Sequence, residues 1–291
     1  MLSTTSEYAL RALAELARLA HGKVMLGRRV TGCRFDSATS VWTVTSRNAN
    51  GNVEEYRAEH VISSMPIREL VAQLEPQLPE AAVLAARSLR YRDFLTVGLI
   101  VQDRGRFSDN WIYIHDPKVQ VGRVQNYKSW SPEMVPDPRF SSYGLEYFCF
   151  EGDGLWTTTD GDLIELAKRE IQQVNLASSA DVIDGCVIRQ PKAYPVYDDA
   201  YQQHVDTIRK ALEEHCPALH LVGRNGMHKY NNQDHAMMTA ILTAKNILAG
   251  QREYDVWAVN QDAEYHEAGA AGETVAEVET HVPVRNAVSP A

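Results

Sequence analysis

Apolar and polar positions alternate with a period that changes several times along the chain, and each change marks a predicted element. Over residues 6–20, Tyr8, Leu10, Leu13, Leu16, Ala17 and Leu19 recur at near-helical spacing, with Glu7, Arg11, Glu15 and Arg18 on the other side. That pattern predicts an amphipathic helix capped by Ser3 or Ser6. From Lys23 the period shortens, and residues 24–26, 30–35 and 41–45 are predicted strands of a small antiparallel unit. Asn48, Ala49, Asn50 and Gly51 supply a hairpin turn. An apolar strand over residues 58–66 then runs into Ser63, Ser64, Met65 and Pro66, and a helix follows through Ile67, Leu70, Val71 and Leu74. Strand, tight turn and helix in that order are what a sheet uses to meet a ligand at its end.

The second part of the chain predicts a helix over residues 79–86, then strands at 94–101, 111–115, 121–125 and 143–150, which suit a mixed or antiparallel sheet. Helices at 160–174 and 198–215 flank a strand at 182–188, with Asp160 and Asp198 as caps and Pro217 as a stop. A buried strand over 219–223, a glycine-containing loop and a helix over 234–248 follow. Beyond Gln261 the chain is acidic, rich in Ala and Gly and poor in large apolar residues, which predicts a disordered tail. The fold class expected is α/β in its α+β form.

Composition narrows the function classes. With 291 residues and 44% hydrophobic content the chain can bury one large core or two modest ones. A formal charge of −9 argues against a large nucleic-acid footprint, because neutralising phosphates takes clustered Lys and Arg. No window approaches the roughly 18 apolar residues of a membrane span, and the first residues lack a signal pattern, so a cytoplasmic protein without a membrane partner is expected. Cys33, Cys149, Cys186 and Cys216 are far apart, which fits buried thiols better than a zinc ribbon or a disulfide framework. His228, His235 and Asp234 have no further ligand placed beside them, so no metal is expected.

Residues 219–239 carry the strongest chemical signal. A strand ends in Gly223 and Arg224, Gly226 allows close backbone approach, and Asn231, Asn232, Gln233 and Asp234 stand where a helix begins. A helix N-terminus offers unpaired amides and partial positive charge to a phosphate or an electron-rich ring oxygen. Arg224 is suited to clasp a pyrophosphate, and Asn231, Asn232 and Gln233 to read a polar ring edge or a sugar-like chain. The same Asn/Asp cluster equally suits a plain helix cap. Trp111, Tyr113, Tyr127, Trp130, Tyr147 and Trp156 are candidates for an aromatic substrate cavity, although sheet core is the expected fate of most.

This stretch resembles the C-terminal flavin-binding signature of the FAD-dependent amine-oxidase superfamily, in the branch of protoporphyrinogen-oxidase-like proteins and UDP-galactopyranose mutases. Gly223, Arg224, Tyr230, Asn232 and Asp234 stand in the matching places, and Tyr194, Pro195, Val196, Tyr197 and Asp198 upstream are also similar. Gly27, Arg28, Arg29 and Val30 resemble the segment whose valine main chain pairs with adenine, and Ser64, Met65 and Pro66 the strand exit beneath the dinucleotide. The resemblance covers about residues 23–260 and implies FAD as cofactor and a small-molecule substrate. It divides the chain into a helix of uncertain origin (1–22), a partial FAD-binding domain (23–78 and 190–260), a substrate domain with an antiparallel or mixed sheet (79–189) and the acidic tail (261–291).

The departure from the family is at the start. The N-terminal Rossmann βαβ unit, with G-x-G-x-x-G and an acidic residue about 20 positions on, has no match. Residues 152–157 fail at the third glycine. The chain is therefore expected to be N-terminally truncated, and the resemblance leaves room for a separate polypeptide that supplies the Rossmann segment. The opening residues 1–13 resemble small winged-helix redox-sensing repressors, but the cysteine cluster and basic recognition helix do not follow, so DNA binding is set aside. Three expectations for function result: an oxidoreductase moving a hydride from a small organic substrate to flavin, a flavin-dependent sugar-nucleotide mutase, or a flavoprotein fragment without independent activity. No residue is singled out as a catalytic base.

Overall fold

The computed structural model describes residues 22–260; the predicted first helix and the acidic tail lie outside the described residues. β1 (Arg28–Asp36), β2 (Val41–Asn48) and β3 (Val53–Ala58) form an antiparallel meander. Its second turn is folded by the Asn48 side chain, whose Oδ1 accepts the N–H of Asn50 at 3.0 Å and of Asn52 at 2.9 Å, the backbone mimicry that suits Asn to turns. The strand predicted at 24–26 does not form. Val24, Met25 and Leu26 are exposed, and apolar content alone makes no strand when no neighbour takes its N–H and C=O groups.

β4 (Val61–Ser63) leaves the meander for α1 (Ile67–Gln73), and the two-residue β5 (Leu74–Glu75) returns to pair parallel with β1. α2 (Glu80–Ser88) follows. β6 (Tyr91–Gln102), β7 (Trp111–Tyr113), β8 (Arg123–Asn126), β9 (Phe140–Cys149) and β10 (Val182–Pro195) build a five-stranded antiparallel sheet in the order β10-β6-β9-β8-β7. α3 (Asp160–Gln173) covers one face of it, placing Leu163, Ala167 and Ile171 against Leu95, Val97 and Leu145. Within that core Glu170, 4% exposed, accepts the N–H of Gln120 at 2.7 Å, the N–H of Val121 at 3.1 Å and the Tyr147 hydroxyl at 3.0 Å. One carboxylate thereby ties the helix, the sheet and the loop before β8.

α4 (Tyr201–His215) packs with α1 and α2 around a second core that includes Trp42, Ile67, Leu70, Ala82, Ile208 and Leu212. The Trp42 indole N–H donates to the Pro217 carbonyl at 2.9 Å, anchoring the meander to the turn after α4. Two predicted caps shift. Thr159 caps α3, its hydroxyl accepting the Asp162 N–H, so Asp160 is the first helical residue. α4 starts at Tyr201 because Asp198 accepts the Ala200 N–H at 3.2 Å, a local turn that competes with helix.

β11 (Leu219–Leu221) lies parallel to β4 in a two-stranded sheet. The predicted strand to 223 is shorter, since Gly223 adopts φ +74° and opens a single helical turn, Gly223–Gly226. α5 (Gln233–Ala249) ends at Gly250 in the left-handed conformation favoured there. Its buried residues are Thr239 and Thr243, whereas Met237, Ile241 and Leu248 are exposed, the last at 87%. The architecture is mixed α and β with several sheets.

Candidate functional site

The site grows from the place where β4 and β11 end side by side. The Val222 N–H donates to the Ser63 carbonyl at 3.0 Å, carrying the pairing one step past β11. The turn at Gly223–Gly226 then sits hard against the exit of β4. A Cβ on Gly226 would lie 2.7 Å from the Ser63 carbonyl oxygen and 3.2 Å from the Ser64 Cα. Only glycine fits there. The Gly223 N–H donates to the Thr239 hydroxyl at 2.9 Å, which itself donates to the Ala236 carbonyl at 2.7 Å. A buried threonine of α5 thus fixes the turn, and Ser64, Gly223 and the start of α5 come together. Met65 packs on the core beside α1, and Pro66 occupies the N-cap of that helix.

Residues 224–231 are fastened to the end of β10. Arg224 donates from Nε to the Asn231 carbonyl at 2.9 Å and from Nη1 to the Ala193 carbonyl at 3.1 Å. Its guanidinium lies 5.0 Å from the Tyr194 ring centroid and 4.8 Å from that of Tyr230, within cation–π range. Asn225 donates to the Lys192 carbonyl at 3.0 Å, Lys229 to the Trp257 carbonyl at 3.0 Å, and the Tyr230 N–H to the Tyr197 hydroxyl.

What the loop does not satisfy is as informative. Both amide atoms of Asn231, Oδ1 of Asn225 and Nδ1 of His228 are buried without a hydrogen-bond partner among the described residues. Asn231 and His228 are each 2% exposed. Buried polar atoms of native proteins are nearly always paired, so four such atoms in seven consecutive residues call for a partner from beyond the described residues. His228 Nε2 lies 3.5 Å from the Val196 carbonyl and must carry the proton there, which leaves Nδ1 as a bare acceptor. Burial lowers the His228 pKa to about 4, so the ring is neutral at physiological pH.

At the start of α5, Asn232 and His235 form a reciprocal capping box. The predicted cap is therefore real, and Asn232, Gln233 and Asp234 all lie at the exposed end of the helix. Val30 stands on a different element, β1, opposite Ser46. The structure gathers Ser64, Gly223, Arg224 and Tyr230 with residues 231–234; Val30 is held by the meander.

A second cluster, whose charged and amide members no sequence pattern foretells, occupies the face of the five-stranded sheet opposite α3. Glu146 of β9, 1% exposed, accepts from Arg123 Nε and Gln125 Nε2 of β8. Arg123 also reaches the Tyr194 hydroxyl at 3.5 Å and lies 5.7 and 5.8 Å from the ring centroids of Trp111 and Tyr113. Tyr194 stacks on Tyr230 with centroids 5.7 Å apart, joining this cluster to the loop. Spacing gave no signal for it, because the partners come from strands far apart in sequence. The candidate aromatic residues divide accordingly. Tyr147 and Trp156 belong to the core under α3, Trp111, Tyr113 and Trp130 are exposed, and Tyr127 lies over Gly144.

The arrangement offers hydrogen-bonding groups and planar apolar walls. The buried thiols of Cys149 and Cys216 are not activated, since burial pushes their pKa values up to about 11. Among the described residues no group of three or more His, Cys, Asp or Glu is placed to hold a metal ion, and no helix is long and apolar enough to cross a membrane.

No protein-family model and no curated protein sequence matches the chain. Among solved structures it is similar to a reduced UDP-galactopyranose mutase, with TM-score 0.71 and 18% identity, over 88% of this chain and 53% of that one. It is also similar to a protein of Exiguobacterium sp. 255-15 designated a candidate protoporphyrinogen oxidase, with TM-score 0.58 and 13% identity, over 81% of this chain and 51% of that one. At such identities the likeness is one of fold. The chain spans about half the length of either structure.

Proposed function

We propose that this chain is the FAD-contacting and substrate-facing part of a flavin-dependent oxidoreductase of amine-oxidase type. The observation that carries the reading is the set of unpartnered buried polar atoms on Asn225, His228 and Asn231. They lie beside a glycine turn packed against a strand exit and next to the start of a long helix, a combination that suits a polar heterocyclic cofactor.

In this reading Ser64, Met65, Pro66 and Gly223 approach the cofactor with backbone, Asn231, Asn232, Gln233 and Asp234 with side chains and helix-end amides, and Val30 with its main chain. Arg224 and Tyr230 hold the loop in shape, since the guanidinium is already engaged by two carbonyls. When bound, the flavin supplies a hydride acceptor for a C–N or C–C bond of a small organic substrate. The N-terminal end of α5 stabilises negative charge on a group that meets its free amides. Glu146, Arg123 and Gln125 hold one another on the sheet face opposite α3, with the rings of Trp111 and Tyr113 beside Arg123. No side chain of the set is assigned as a general base.

A sugar-nucleotide mutase is the second reading, favoured by the larger fold likeness to the reduced mutase. A fragment without independent activity is the third, favoured by coverage of only half of either similar structure. Titrating the full chain with FAD and following flavin fluorescence and visible absorbance tests the proposal. Stoichiometric uptake supports it, and no uptake at saturating FAD overturns it for the chain alone in favour of the third reading. Given uptake, isomerisation of a UDP-sugar by the reduced protein without net flavin oxidation selects the mutase, and anaerobic bleaching by an amine selects the oxidase.

A further inference from the structure

We infer that Asp93 is a positioning residue for the candidate site: its carboxylate shapes a bulge in β10 whose carbonyls hold Arg224 and Asn225, and so fixes where Asn231 presents its carboxamide. The pattern of β6 singles it out. Asp93, Leu95, Val97, Leu99 and Val101 share one face of the strand, and only the first is charged, although it is 5% exposed. A carboxylate buried in such company needs hydrogen bonds to be held there. Both of its oxygens take backbone: Oδ1 accepts the Lys192 N–H at 2.7 Å, and Oδ2 accepts the N–H of Glu151 just past β9. Asparagine could not do this, having one acceptor atom and one donor.

Opposite Asp93 the ladder is broken. Gln190 pairs with Phe94 and Tyr194 with Arg92, so Pro191, Lys192 and Ala193 stand against a single residue. Lys192 adopts φ +53°, a conformation that costs an L side chain and persists only where its surroundings hold it. Its N–H bond to Asp93 supplies part of that hold. β10 is an edge strand, and bulges at sheet edges re-aim groups toward neighbouring sites. Here the re-aimed groups are two carbonyls: that of Lys192 accepts Asn225 Nδ2 at 3.0 Å, and that of Ala193 accepts Arg224 Nη1 at 3.1 Å. Arg224 Nε donates in turn to the Asn231 carbonyl at 2.9 Å. Three hydrogen bonds in series thus lead from a buried carboxylate of the sheet to the side chain whose two amide atoms are buried without a partner among the described residues. A straight β10 would withdraw both carbonyls. The inference rests on the flavin reading only in naming what meets that carboxamide.

Asp93→Asn keeps the outline of the side chain and one acceptor, and gives up one of the two backbone bonds. In the full chain without ligand, amide hydrogen exchange over residues 224–231 is expected to quicken by about tenfold or more, while residues 41–58 of the meander keep their rate. The dissociation constant for FAD, read by fluorescence titration, is expected to rise by about tenfold or more, as for one lost hydrogen bond. Pro191→Gly, at an exposed position of the same bulge, frees its backbone without touching the core. It should move both readouts the same way by a smaller factor, and it decides the matter where Asp93→Asn does not fold. Glu170→Gln is the control for stability alone: it weakens the clamp under α3 and should lower Tm while leaving both readouts in place. Faster exchange confined to residues 149–153 and 189–194, an equal response to Glu170→Gln, or unchanged rates and affinity would each overturn the inference. Should the unaltered chain take up no FAD, the flavin reading falls and the exchange measurement still decides this one.

Discussion

Replacing Asn231 by leucine should stabilise the cofactor-free protein and weaken FAD binding at the same time. Asn231 is 2% exposed, and among the described residues neither its carboxamide oxygen nor its nitrogen has a partner. Each unmet buried group costs about 1–3 kcal/mol, so the two together burden the ligand-free fold by roughly 2–6 kcal/mol. Leucine has a similar outline and carries no polar atoms. Imperfect fit returns about 1 kcal/mol, which leaves a net stabilisation of roughly 1–5 kcal/mol. At about 2–4 °C per kcal/mol for a fold of this size, that corresponds to a rise of roughly 2–20 °C in Tm. The backbone carbonyl that Arg224 holds is untouched by the change. Scanning calorimetry of both proteins without FAD measures the first effect, and fluorescence titration with FAD measures the second, expected to be about tenfold or more for one lost hydrogen bond. A lower Tm with an unchanged titration would refute the reasoning, because it would mean that the carboxamide serves the fold.

Three further outcomes are expected. His228 is neutral in the fold, with its pKa lowered to about 4 by burial, so the unfolded chain binds more protons between about pH 4 and pH 6.5. Stability should therefore rise with pH through that window, by about 3 kcal/mol from this group, and be flat in it above; urea midpoints of His228→Gln that keep the same slope would count against this. Glu170→Leu strands two backbone N–H groups and the Tyr147 hydroxyl and should cost roughly 3–6 kcal/mol, with Glu170→Gln milder; a loss under about 1 kcal/mol by urea unfolding would contradict the clamp. Gly226→Ala forces a Cβ to within 2.7 Å of the Ser63 carbonyl oxygen and should cost about 2 kcal/mol or more, whereas Gly161→Ala, which meets nothing within 4 Å in the first turn of α3, should be neutral or stabilising by calorimetry.

The long elements were legible because one face of each is dry. In β6, Leu95, Val97, Leu99 and Val101 alternate with residues of the other face, and in α3, Leu163, Ala167 and Ile171 recur at helical spacing. Residues 24–26 have the composition of a strand and lack only a neighbour, which no local pattern can reveal. The start of α4 moved because the Asp198 side chain chose a local turn over a cap. Within the site, Gly223 to Asp234 could be found since those residues are contiguous. The burial of Asn231 and His228 could not, because polar loop residues are ordinarily exposed. Glu146, Arg123, Gln125 and Tyr194 meet only through strand order, and their spacing in sequence carries no trace of it.

The last helix is built inside out: threonines 239 and 243 face the protein while Met237, Ile241 and Leu248 face water. Few dispersion contacts bind such a helix to its own fold, and wet hydrocarbon on its outer side lowers its free energy only when something covers it. Concentration and company therefore become variables of the chain's condition, as temperature and pH are.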